Sequence, residues 1–267
     1  MTLKLKVWTG LGLGTVLLGT SLVACSSPSD QIQEENAEVS MTTDVSEPAQ
    51  KVKSIEYGEG GESGESGTSG GSMEVLPIEN RLAFMTGHVE AGLALYRAGK
   101  LEQAAPHLLH PVSETHQSER QGLDALGFEA SLFKSVSEAL SQGRPASEIQ
   151  AELIAAEANL NSVAKKAGGS HADIIRFLMD KVVEEYSVAL NDGVISEPGE
   201  YQDAFGFAVV ARAHAEQLNV HYKTAVLEEI NELISFWPEA PIPSPSPTSV
   251  AQVIAKASAV QLALPAD

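Results

Sequence analysis

Four of the seven histidines in this 267-residue chain fall between positions 88 and 116. His107, His110 and Glu114 stand three and then four residues apart, the spacing of one helical face, and His116 follows close behind. Imidazole and carboxylate donors together suit Zn, Cu, Fe or Ni. The expected ligands are therefore His88, His107, His110, Glu114 and His116, holding a transition-metal ion of unknown identity. The same residues also have a purely structural reading. Pro111 interrupts the register, and histidines near helix ends bond the last free carbonyls. His214 and His221, seven apart, share a predicted helical stripe with Gln217 and Glu228 that reads as a solvated face, and His171 reads as local surface chemistry beside Ser170.

Catalytic patterns are missing. The sequence has no Gly-x-Ser-x-Gly elbow, no phosphate-binding glycine loop and no His-Glu-x-x-His zinc helix, and its one cysteine is Cys25. No catalytic residue is expected, and the chain reads as a non-enzyme.

The histidines need helices to carry them. Ile78, Leu82, Met85, Val89, Leu93 and Tyr96 recur at three- and four-residue steps, and Phe84, His88, Ala91 and Leu95 form a second face beside that stripe. Gly99 ends this helix, and a second, from Leu101 to His110, is expected to bend or break at Pro106 and stop near Pro111. A third is predicted from about Glu119 to Gln142. Ser147 with Gln150 reads as the capping box of a fourth, and Ser170 with Asp173 opens a fifth that ends at Asn191-Asp192-Gly193. The sixth runs from Glu197-Pro198 towards Phe236 with a kink around Asn219. No segment shows a period-two strand pattern.

The expected fold is therefore all-α, an antiparallel helical bundle of about six helices over residues 73–238. A Pro/Ser linker covers 239–249, and a C-terminal amphipathic helix at 250–267 has to dock on the bundle to bury its apolar face.

The beginning of the chain is of another kind. Lys4 and Lys6 precede an apolar stretch from Val7 to Leu18 that is too short and too rich in glycine to span a membrane, which predicts a signal peptide over 1–24. Leu22-Val23-Ala24-Cys25 resembles the lipobox of bacterial lipoproteins. That resemblance implies cleavage before Cys25 and acylation of its thiol, hence attachment to the cell membrane on the periplasmic side. Ser26 rather than Asp resembles the outer-membrane sorting pattern of Gram-negative lipoproteins. From 25 to 72 the chain is rich in Gly, Ser and Glu, a composition that predicts a disordered acidic leash.

Losing Lys4 and Lys6 moves the formal charge from −19 to −21. Such a surface repels nucleic acid and anionic lipid, so membrane attachment falls to the acyl chains. It also raises the local concentration of cations.

Further resemblances are local. Gly92, Leu95, Gly99, Ala104 and Leu108 are spaced as in one tetratricopeptide repeat, with no second copy, and so predict a tight helical hairpin. Glu185-Tyr186, Asn191-Asp192-Gly193-Val194-Ile195 and Glu200-Tyr201-Gln202-Asp203, followed by Phe207, resemble a helical extracytoplasmic segment of bacterial iron-permease proteins. The Arg-Glu-x-x-Glu signature of those permeases' membrane helices is absent, so no site residue is carried over. The implied function is a lipid-anchored extracytoplasmic binding protein that assists metal handling of the iron type. The alternative is a structural or interaction lipoprotein of the envelope, contacting a protein partner with no small ligand.

Overall fold

Ile78–Arg97 form the first helix, α1, in the computed structural model, which describes residues 76–113 and 120–266. The all-α expectation is met: the described residues fold into nine α-helices, one 3-10 turn and a single two-stranded hairpin. Both predicted faces of α1 are buried, from Leu82 and Met85 on one side to Phe84 and His88 on the other. Its end is set by Gly99, whose φ of 73° lets Lys100 N–H reach Leu95 O and Gly99 N–H reach Tyr96 O. The chain thereby turns straight into α2, Leu101–Leu109.

Pro106 does not break α2. It lies on the exposed side with Glu102, whose carbonyl it cannot bond, so the loss falls towards solvent. A 3-10 turn over His110–Val112 then ends the helix at Pro111, as expected.

Three further expectations are corrected. The third helix is two pieces, α3 (Leu123–Leu126) and α4 (Ala130–Ser141), parted at Gly127. Ser147 caps nothing: α5 starts at Gln150, after Ile149, and runs to Ala167. The kink near Asn219 is a full break between α7 (Pro198–Ala215) and α8 (Val220–Ile234), because the Asn219 side chain accepts from His221 N–H and starts a new helix.

Ser170 does cap α6 (His171–Ala189), accepting from Asp173 N–H at 3.3 Å. After α6 the Asn-Asp-Gly stop proves to be a hairpin, β1 (Leu190–Asn191) paired antiparallel with β2 (Val194–Ile195). Asp192 and Gly193 both take positive φ, at 51° and 78°, which is the two-residue turn that matches strand twist. Two-residue strands are too short for alternation to be read in the sequence. Finally, α9 (Val250–Ala263) opens on a Ser249/Gln252 capping box and buries Val253, Ala257 and Val260 against α6 and α8, as its amphipathic pattern requires. The segment leading to it is tied down by Tyr186, whose hydroxyl donates to Thr248 O at 2.8 Å.

The core has two parts. One joins α6 to α9 through Tyr186, Tyr201, Phe207, Ile230, Leu233 and Trp237, and the other joins α1 to α5 through Leu82, Leu93, Phe133, Leu153 and Leu160. Helix α1 contributes to both, and α7 is buried on almost every side. Polar side chains on the α1/α7 contact therefore have to find partners inside the protein.

Candidate metal centre

The α1/α7 crossing is made by two glycines. A Cβ on Gly206 would stand 2.1 Å from the Gly87 carbonyl oxygen, and one on Gly87 would stand 2.0 Å from the Phe207 ring. Only helices without side chains at these points approach so closely. The next residue on α1 is His88, and one turn back along α7 is Asp203. A second close contact sets α2: a Cβ on Gly92 would meet Leu108 at 2.7 Å and His107 Cβ at 2.9 Å. The tight hairpin expected from the Gly92 spacing is present, and it brings His107 to the same point.

There His88 Nδ1 and His107 Nδ1 each stand 2.8 Å from Asp203 Oδ1. The three side chains are 4%, 4% and 9% exposed in that order, and their ligand-type atoms all lie within 4.8 Å of one another. Among the described residues this is the one group of three or more His, Cys, Asp or Glu able to hold a metal ion. His110, 1% exposed, stacks on His88 with ring centroids 4.2 Å apart. Phe84 and Phe207 close the apolar side, each presenting an edge contact to the His88 ring.

A polar relay leads outward. His107 Nε2 lies 3.0 Å from Gln202 Oε1, and Gln202 Nε2 donates to the exposed Gln103 at 2.8 Å. With its nitrogen so engaged, the Gln202 amide offers His107 an oxygen, and His107 Nε2–H donates to it. In the neutral ring that tautomer turns the Nδ1 lone pair towards the Asp203 carboxylate. A second proton or a cation between them makes the contact attractive.

The electrostatics agree. Burial alone would raise the Asp203 carboxyl, but His107 and then His88 hold it well below the usual carboxylate range. His88 is pushed down by burial, which outweighs Asp203, and by His110 and His107. Burial thus favours the neutral form of His88, while the two imidazoles favour the ionised form of Asp203. Next to this group, Glu185 of α6 and Glu200 of α7 form a buried, hydrogen-bonded carboxyl pair, raised by burial and, for Glu185, by Glu200.

Of the residues expected at the site, His88, His107 and His110 come together, while Glu114, His116 and Cys25 lie outside the described residues. Asp203, Gln202, Glu185 and Glu200 were not anticipated as site residues. Their signal was present as acids on apolar stripes, Glu185 after Leu178 and Val182, and Asp203 one turn before Phe207. The single helical stripe predicted to carry His214 and His221 is not formed, since the two lie on different helices. His221 is exposed and rests on Tyr222, and His214 instead meets His171.

Residues 164–266 match the family model described as an iron permease-associated 4-helix bundle domain. The match takes in α6, α7, α8 and α9, the four helices of one core, and links this part of the chain to iron transport. It agrees with the local resemblance in the sequence. No curated protein and no solved structure matches the chain. Asp203, Glu185 and Glu200 lie inside the matched stretch, and His88 and His107 come from the α1–α2 hairpin outside it. No helix among the described residues is long and apolar enough to cross a membrane.

Proposed function

We propose that the chain is a lipid-anchored extracytoplasmic helical protein that binds a transition-metal ion of the iron type through His88, His107 and Asp203, and assists its transport without catalysing a reaction. Two imidazoles and one carboxylate form a ligand set suited to non-haem iron. The observation that carries the reading is the convergence of His88 Nδ1 and His107 Nδ1 on one buried Asp203 oxygen at 2.8 Å, with the other nitrogen of His107 engaged by Gln202 Oε1. A ligating histidine held through its other ring nitrogen by an amide oxygen is the usual outer arrangement of such sites. His110, Glu114 and His116 complete the proposed ligand-bearing segment. Cys25 is the acyl acceptor, and the 25–72 leash spans from the membrane on the periplasmic side, the outer membrane in a Gram-negative host, to the folded part. An envelope protein is the partner that receives or delivers the ion.

One observation favours the structural alternative: Asp203 stands at hydrogen-bond distance from both imidazoles, so a proton alone can hold the three together. Calorimetric titration of the full chain with Fe(II), Cu(II) and Zn(II) decides between them. A tight equivalent that His107→Ala and Asp203→Asn abolish is expected. Absence of that equivalent, or its retention by both variants, leaves the interaction role in place of the metal one. Cys25→Ser is expected to move the chain from the membrane fraction to the soluble periplasmic fraction.

A further inference from the structure

A second group of metal-type ligands lies away from the buried centre. His171, the first residue of α6, and His214, in the last turn of α7, face each other with Nδ1 atoms 2.9 Å apart and ring planes inclined by 51°. They line a cleft of about 500 Å³ bounded by α1, α5, α6 and α7, whose wall also carries Glu79, Thr86, Glu90 and Glu216. Both histidines are only partly buried.

We propose that His171 and His214 chelate a first-row transition-metal ion at the wall of this cleft, an exchangeable site distinct from the buried one. Metal–imidazole bonds of about 2.0–2.1 Å place the two nitrogens roughly 2.9 Å apart at the right angles of an octahedral or square-planar ion, the separation found here. At the tetrahedral angle of zinc they stand about 3.3 Å apart, which a small side-chain rotation supplies. Without metal the same distance suits a hydrogen bond from one neutral ring to the other. Binding an ion needs only that the bridging proton move to Nε2 of its own ring, with no change of backbone. The remaining coordination positions open on the cleft, where water or a small chelating anion fills them. Glu79 and Glu216, with Glu90 once ionised, outweigh Lys165 on the wall and favour cation approach. Two protein ligands, half-open, give weaker and faster-exchanging binding than the enclosed His88, His107 and Asp203 set.

The test is calorimetric titration of the full chain with Zn(II), in wild type, His171→Gln, His214→Gln and Asp203→Asn. Two equivalents are expected in wild type. Each glutamine variant should lose the weaker one, with affinity there falling at least tenfold and the melting temperature unchanged. Asp203→Asn should keep that equivalent and lose the tighter. A parallel Cu(II) titration followed by electron paramagnetic resonance should show imidazole nitrogen couplings that His171→Gln and His214→Gln remove. Full retention of both equivalents by the two glutamine variants overturns this site. A single equivalent in wild type that only Asp203→Asn loses also overturns it, while leaving the buried centre standing.

Discussion

Gly206 of α7 crosses Gly87 of α1 so closely that a single added carbon would lie 2.1 Å from a backbone oxygen. The contact places Asp203 within hydrogen-bond reach of His88. Because the obstacle is backbone, it cannot swing aside as a side chain does. Gly206→Ala is therefore expected to destabilise the fold by about 1–3 kcal/mol, the usual cost of overpacking, despite alanine's better helix propensity. Thermal or urea unfolding measures this, and a variant as stable as wild type would show that α1 and α7 are not held by this crossing.

Among the described residues Asp203 is the carboxylate shared by His88 and His107, so its charge should govern metal affinity. Asp203→Asn keeps the shape and removes the charge. At a metal concentration one hundred times the dissociation constant, wild type should gain about 2.7 kcal/mol of stability, and the variant close to none. Melting curves with and without Zn(II) read the difference directly. Equal gains in both proteins would be the contrary result.

Glu90 provides the pH prediction. Burial and then the neighbouring Glu157 carboxylate raise its carboxyl to about 7, against the pull of Arg97 and Arg212. A carboxyl raised in the folded state contributes stability at low pH that is lost as pH rises from about 4.5 through about 7. Glu90→Gln cannot ionise. Its melting temperature should match wild type near pH 5 and exceed it at pH 8, and a difference that does not change with pH contradicts the assignment.

Tyr186 donates to Thr248 O and fastens the segment between α8 and α9 to the core. Tyr186→Phe removes that donor without altering the ring's contacts with Trp237 and Tyr201. A loss of about 0.5–1.5 kcal/mol is expected in denaturant unfolding, as for one hydrogen bond. Amide exchange over 239–249 should quicken at the same time, and unchanged exchange there would mean that the segment is held by other contacts.

Much of the architecture is legible in the chain. The apolar stripe of α1, the Gly99 stop, the Ser170 cap and the amphipathic α9 all rest on interactions within one or two helical turns, which short stretches of sequence record. So does the grouping of His88, His107 and His110, because a hairpin closed at Gly99 returns α2 along α1. Hairpin β1–β2 was hidden by its length, and the break at Asn219 by the continuity of the apolar pattern across it.

The partners of those histidines are a different matter. Gln202 lies 95 residues from His107, and nothing local to α7 indicates which buried acid will face which ring. His171 and His214 are 43 residues apart, and each alone resembles a surface histidine. Composition and periodicity sufficed for an all-helical fold with metal-type side chains on its first hairpin. The choice of Asp203 over the many other acids, and the pairing of His171 with His214, belong to the crossing of helices far apart in sequence, where absent side chains at Gly87, Gly92 and Gly206 let backbones meet.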